Sequence, residues 1–249
     1  MVVMLGPDGS WILLHGLGDG PSTAAGLADH LCAGGGSVLA PDLAHLVDAG
    51  GTTATIEHVA TAVATAALAS SWPGATWWLV GHSLGGLVAI ALAERLEGVR
   101  GLALLEGSIR PADAEAVRRY AAPPPAGDGY GLLLSELIAA PARSAIASRY
   151  LAHLTLTPPS FFHALAAELG GRQAEFAERF RRLAMPRLYV TSTESRAARA
   201  SPASTLVATG AEIVVLEGTD HWLHAERPEE TARVLLQWID RVTSPSAPD

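Results

Sequence analysis

The chain has 249 residues, 49% of them hydrophobic and 17% charged, which suits one folded domain with a sizeable core and excludes a disordered chain. The formal net charge is −8, and no basic stripe or zinc-ligand spacing occurs, which argues against a nucleic-acid partner. A single cysteine, Cys32, excludes a disulfide framework.

The first residues carry no basic cluster and no cleavage pattern of a signal peptide, and no apolar run is long enough to span a bilayer. A soluble cytoplasmic protein is the expectation, as a monomer or homodimer without a membrane partner. Only residues 2–5 precede the first clear strand, and an early strand that is missing or reduced to a stub is the expectation. Residues 11–14 form that short buried strand. Residues 22–33 follow as a helix, with Ser22 available as its cap and Cys32 expected to be a buried structural thiol. Residues 37–40 make a second strand, ended by Pro41-Asp42. An Ala-rich helix spans 53–71, with Ile56, Val59, Val63 and Leu68 spaced along it.

Residues 77–80 are a third strand, which runs straight into Gly81-His82-Ser83-Leu84-Gly85-Gly86. A helix from 84 to about 96 comes next, then a fourth strand at 99–105. The fifth and sixth strands fall at 186–191 and 212–216. A last helix starts near Pro228, which suits its first turn, and runs past Ile239. The end, 244–249, is a flexible tail. Strands alternating with helices at this spacing predict a mostly parallel sheet covered on both faces.

Residues 107–184 break that alternation. They hold helical segments punctuated by proline and glycine and no buried strand pattern. They are expected to form a helical cap inserted into a core made of 1–106 and 185–243. All four Phe and three of the four Tyr lie there, while all six Trp lie outside it. Those aromatics serve the core of a small helical unit, and some of them, such as Phe161, Phe162 and Tyr130, are candidates to line a pocket.

Gly81-His82-Ser83-Leu84-Gly85 has the G-x-S-x-G pattern of a nucleophile turn. A buried strand comes directly before it and an apolar helix directly after. The glycines allow the sharp turn, and Ser83 can present its hydroxyl at a helix start, where amides favour developing negative charge. The N–H of Leu84 is the natural oxyanion donor.

The sequence resembles the α/β-hydrolase family over almost its whole length. His15-Gly16 ends a strand as in that family's oxyanion loop. The resemblance gives Leu17 as the second oxyanion N–H and His15 as a structural loop histidine. Ala40-Pro41-Asp42-Leu43 is similar to the family's strand end, but Ala44-His45-Leu46 replaces the usual Gly-His-Gly. His221, in Gly218-Thr219-Asp220-His221-Trp222-Leu223-His224, occupies the place of the catalytic histidine. His224 belongs by resemblance to the loop behind it. Asp220 is left without a role because its side chain points away from the adjacent imidazole.

Two carboxylates compete for the acid. Glu194 follows the fifth strand, where the family's pattern normally ends in Asp. Glu106 follows the fourth strand, a placement similar to that of haloalkane dehalogenases and certain lactone-cleaving hydrolases. The segment from Glu106 to Arg110-Pro111 resembles the dehalogenases, yet Ser83 stands where they use aspartate, which excludes dehalogenation. Glu106 is the expected acid because it ends the more apolar strand, where a carboxylate needs partners. Glu194 is the alternative.

A Ser83–His221–Glu106 set with two backbone donors suits acyl transfer to water without cofactor or metal. An ester or lactone of a small to medium apolar molecule is the expected substrate. Thioester or carbon–carbon bond hydrolysis on the same set is the alternative. A non-catalytic binding protein on the same fold is the third reading.

Overall fold

The computed structural model describes residues 9–47, 54–71, 74–139, 144–195, 198, 200 and 203–244. The expected stub at 2–5 and the tail from 245 lie outside them. Strands β1 (Ser10–Leu14), β2 (Ser37–Leu39), β3 (Trp77–His82), β4 (Val99–Leu105), β5 (Arg187–Ser192) and β6 (Glu212–Leu216) form one parallel sheet. Its order is β2-β1-β3-β4-β5-β6.

Side chains alternate across the sheet, so each strand feeds two cores. Ile12, Leu14, Leu79, Leu102 and Leu104 face one side, where α3 (Ile56–Ser70) and α4 (Leu84–Ala93) cover them. Trp11, Leu13, Trp78, Val80, Ala103 and Leu105 face the other, under α1 (Ala25–Ala33) and α11 (Pro228–Thr243). Helix α4 is buried all round, which explains why its sequence is apolar without a polar face. Helix α3 is amphipathic: Thr55 caps it through the His58 N–H, and Ile56, Val59, Ala60, Val63 and Ala67 are buried. The short helices α2 (Leu43–Leu46) and α10 (Leu223–Glu226) follow β2 and β6.

Strand β1 has β2 on one side and β3 on the other, so the direction of strand addition reverses between β1 and β3. In open α/β sheets that reversal opens a crevice at the carboxyl ends of the strands, where ligands bind. The loop after β1 and the turn after β3 both end there.

Three local expectations differ. Residues Pro21–Ala24 form a 3-10 turn before α1, and Ser22 caps no helix. Its hydroxyl instead meets Nε2 of His153 at 2.8 Å, a partner far away in sequence. Helix α4 stops at Ala93, and Gly98, at φ 77°, turns the chain into β4. Cys32 is only partly buried, because α1 turns Leu27 and Leu31 inward.

Between β4 and β5 the described residues form only helices: α5 (Pro111–Ala121), α6 (Gly129–Ala139), α7 (Ala145–Leu156), α8 (Pro159–Gly171) and α9 (Gln173–Arg182). Arg172 and Arg179 tie their end to the core. Arg172 donates to both Glu57 oxygens at 2.9 Å, and Arg179 donates to Glu57 at 2.9 Å and to Glu94 at 2.6 Å. The Arg172 hydrogen bonds, with Arg179 behind them, pull the Glu57 carboxyl down to about 2. A depressed carboxyl stabilises the fold above its unfolded pKa and ceases to as pH falls toward the folded value. Glu57→Gln is therefore expected to cost about 1 kcal/mol at neutral pH, as a networked surface pair does. The gap in melting temperature between the two proteins should narrow as pH falls from 6 to 3. A gap that holds constant across that range would rule out an ionic origin.

Candidate active site

Strand β3 delivers Ser83 to the crevice. A Cβ on Gly81 would collide with the Gly85 carbonyl, and one on Gly85 with the Leu14 carbonyl, so both glycines are required by close backbone approach. Ser83 adopts φ 52°, ψ −120° and directly precedes α4, whose first residue is Leu84. Its hydroxyl is buried and lies 3.4 Å from Oγ of Ser108. Among the described residues, only Ser83 and Glu106 are non-glycines at positive φ. Such backbone strain tends to collect at functional sites.

Leu17 lies on the loop after β1 and lines the same cavity as Ser83. A Cβ on the preceding Gly16 would stand 3.3 Å from the Ser83 Cβ, so this loop runs against the turn at Ser83. His15 anchors the loop: its Nε2 accepts the Leu43 N–H at 3.0 Å. That leaves Nδ1 to donate to the Gly16 carbonyl at 2.9 Å. Burial pushes His15 down to about 4, which keeps it neutral for this pairing.

His221 sits on the loop between β6 and α10, its side chain about one-third exposed. His82, buried and pushed well below its ordinary range by desolvation, donates Nε2–H to the His221 carbonyl at 2.9 Å. His224 lies behind His82, with ring centroids 4.4 Å apart, and burial pushes it down to about 3. Asp220 is exposed and accepts the His221 backbone N–H at 2.7 Å.

Glu106 ends β4 at φ 47° and is fully buried. Its Oε2 lies 3.9 Å from His221 Nδ1. Oε1 accepts from Thr191 Oγ1 at 2.6 Å and from the Ser192 N–H at 2.7 Å. Oε2 accepts from Arg110 Nη2 and Ser195 Oγ, both at 2.8 Å. Burial pushes this carboxyl up, but His221, Arg110 and Thr191 together hold it well below the usual carboxylate range. Glu194 is exposed, and its backbone N–H donates to the Thr219 carbonyl at 2.9 Å.

The structure thus brings Ser83, Leu17 and His221 to one cavity and sets Glu106 beside the imidazole. Sequence reasoning gave no role to Arg110, Thr191, Ser195, Ser108 or the buried Asp19. Arg110 alone left a signal, in the segment that begins at Glu106. Asp19 lines the cavity, and burial pushes it up to about 6 against hydrogen bonds from the Gly20 N–H, Thr23 and Trp222.

The cavity measures about 280 Å³, and its lining includes Val117, Leu133, Leu137 and Leu169 with Tyr120 and Tyr150. The aromatics of 107–184 therefore divide. The two tyrosines line the cavity, and Tyr150 donates its hydroxyl to the Leu17 carbonyl at 3.0 Å. Phe161, Phe176 and Phe180 join the core over the sheet, and Phe162 packs with Tyr130 among the helices. Among the described residues, no group of His, Cys, Asp and Glu is placed to hold a metal ion, and no helix is long and apolar enough to cross a membrane.

No curated protein sequence matches the chain significantly. Solved structures do. A thermophilic esterase from Thermogutta terrifontis superposes with a TM-score of 0.74 at 21% identity, covering 96% of this chain and 92% of that one. A carboxylesterase structure from the ammonia-oxidizing thaumarchaeon Nitrososphaera gargenis gives 0.72 at 19% identity, covering 94% and 91%. An enzyme that degrades N-acyl homoserine lactones gives 0.68 at 21% identity, covering 94% of each chain. The sequence profile described as the alpha/beta hydrolase family matches residues 11–234. That match runs from the first core strand into the last helix, and the chain belongs to the alpha/beta hydrolase family.

Proposed function

We propose that this protein is a serine hydrolase that cleaves a carboxylic ester or lactone through an acyl-enzyme on Ser83. The observation that carries the reading is the strained Ser83 at the start of α4, sharing a cavity with His221, whose Nδ1 faces the buried Glu106 at 3.9 Å. His221 takes the Ser83 proton as the hydroxyl attacks the carbonyl carbon, then gives it to the leaving oxygen. Glu106 stabilises the imidazolium formed between those steps. The N–H groups of Leu17 and Leu84 receive the oxyanion. Water, activated by the same imidazole, releases the acid and restores Ser83. The 3.9 Å spacing suits a resting site, since such contacts tighten when substrate binds. The esterase, carboxylesterase and lactone-degrading neighbours support the same bond class. The test is labelling by a fluorophosphonate probe, followed by turnover of a panel of p-nitrophenyl esters, lactones and thioesters. A protein that takes no label and turns over no ester or lactone would refute the reading.

In this reading, residues 107–184 act as a cap that sets acyl length, because Val117, Leu133 and Leu137 wall the cavity. Leu133→Trp and Leu137→Trp should shorten that cavity. We expect kcat/KM for octanoate esters to fall at least about tenfold, since one methylene in an apolar pocket is worth about 1–3 kcal/mol. Acetate esters should be hardly affected. Equal losses on both chain lengths would count against the cap as the length filter.

A further inference from the structure

We propose that Arg110 is a positioning residue that sets how strongly Glu106 holds His221, and thereby sets the pH below which the enzyme loses activity. This rests on the serine-hydrolase reading of the site.

The geometry centres on one oxygen. Oε2 of Glu106, the atom 3.9 Å from His221 Nδ1, also takes Arg110 Nη2 at 2.8 Å. A charged donor on that oxygen competes with the imidazolium for the same negative charge. Arg110 is only 2% exposed, so the competition is poorly screened by water. The guanidinium is also fixed in place. Nη1 donates to Thr191 Oγ1 at 3.2 Å, and Nη2 lies 3.4 Å from Asp113 Oδ1. The guanidinium carbon lies 5.8 Å from the centre of the Tyr189 ring, and the Tyr189 hydroxyl is itself tied to the Gly107 carbonyl at 2.6 Å. The Arg110 backbone N–H donates to Asp113 Oδ2 at 2.8 Å, which locks the residue to the first turn of α5.

The task of His221 explains the need. It must be neutral in the free enzyme to accept the Ser83 proton, yet charged in the transition state. A fully buried carboxylate with nothing but neutral partners would hold the imidazole protonated to higher pH. Arg110 reduces that pull while leaving Glu106 ionised. Other charged and titratable groups face this pair. His82, His224, Asp19 and Asp220 surround His221, and Asp113 and Tyr189 stand by Arg110 and Glu106. The histidines, Asp19 and Asp220 are common to the native enzyme and the Arg110 variants. Asp113 is the exception, because burial pushes its carboxyl up to about 6 against the pull of Arg110, so it takes up a proton when that charge is lost and offsets part of the shift in Arg110→Gln.

The experiment is the pH profile of kcat/KM on a p-nitrophenyl ester, whose acid limb reports the free enzyme's base. The rate of fluorophosphonate labelling gives the same limb without turnover. Arg110→Gln should move the acid limb about one unit to higher pH. Arg110→Lys, which keeps the charge, should leave it near the native position. If Arg110 only held the loop together, Arg110→Gln would lower the plateau and leave the limb unmoved, and that result overturns the proposal. A limb displaced equally by Lys and Gln overturns it as well. Asp113→Asn removes a carboxylate that shares the guanidinium and should move the limb the other way, to lower pH. If Arg110→Gln fails to fold, this variant decides, and a limb unmoved or raised overturns the inference. A native enzyme that neither turns over an ester nor takes the label defeats the hydrolase reading itself. An active enzyme with unmoved limbs defeats only the role of Arg110.

Discussion

Replacing Ser83 with Ala is expected to lower kcat on the order of 10⁶-fold, the loss seen when the nucleophile of such a set is deleted. No nearby group can substitute for it. Ser108 is a hydroxyl 3.4 Å away, but it lies three residues before α5, whose first residue, Pro111, has no N–H, so it lacks the helix-start amide that Leu84 places next to Ser83. The fold should survive. The substitution deletes one oxygen whose hydrogen-bond contact is that same long one, so the unfolding free energy should change by less than about 1 kcal/mol. Active-site titration and a denaturant curve on the variant check both halves. Stoichiometric labelling of the Ala variant by a serine-directed reagent would mean that another residue carries the acyl group.

Glu106→Gln should lower kcat on the order of 10⁴-fold, as loss of the carboxylate behind a catalytic imidazole does in the best-known case. It should also destabilise the protein by about 3 kcal/mol, because the buried Arg110 loses the nearer of its two anions and keeps only Asp113, at 3.4 Å. The amide adds a second difficulty. Arg110, Thr191, Ser195 and the Ser192 N–H all donate to Glu106, so an NH₂ group would face a donor whichever way it turned. Kinetics must therefore be taken well below the variant's melting temperature. Glu194→Gln, at an exposed loop position, should leave rate and stability near native. A crippled Glu194 variant beside a near-normal Glu106 variant would reverse the assignment.

What could be read in the sequence was local. The strand, glycine, serine, glycine, helix order at residues 77–93 is a single continuous device, and its letters are enough to place Ser83. His221 could be placed because it stands between the last strand and the last helix. The strands themselves were readable because a parallel sheet covered on both faces needs apolar runs such as Leu102-Ala103-Leu104-Leu105. The sequence ranks the two carboxylates only by how apolar their strands are, since each follows a strand that ends at the same edge. Their difference is tertiary. The end of β5, where the alternative acid lies, supplies Thr191 Oγ1, the Ser192 N–H and Ser195 Oγ to Glu106. The polar run from Thr191 to Ser195 is the receptor for a carboxylate from the neighbouring strand. Ser22 failed as a cap for the same kind of reason, because its partner, His153, comes from a helix that local spacing does not bring near.

The order of these groups along the chain has a consequence for how such a protein can change. Ser83 and Glu106 close two adjacent strands, β3 and β4, joined by α4. Helices α5 to α9 leave the sheet only after both are in place and return at β5. During synthesis the ribosome has therefore made Ser83 and the buried Glu106 carboxylate before the first residue of α5. Recombination that lengthens those helices keeps the two strand ends in order, but it must also keep Asp113 on Arg110, Phe161, Phe176 and Phe180 in the core over the sheet, and a later loop that brings His221 back. The inserted helices are thus bound into the core they leave, and the positions free to vary are those that face the cavity alone. In the proposed reading, changes at Leu133 and Leu137 alter what reaches Ser83 and leave in place the strand ends that hold it.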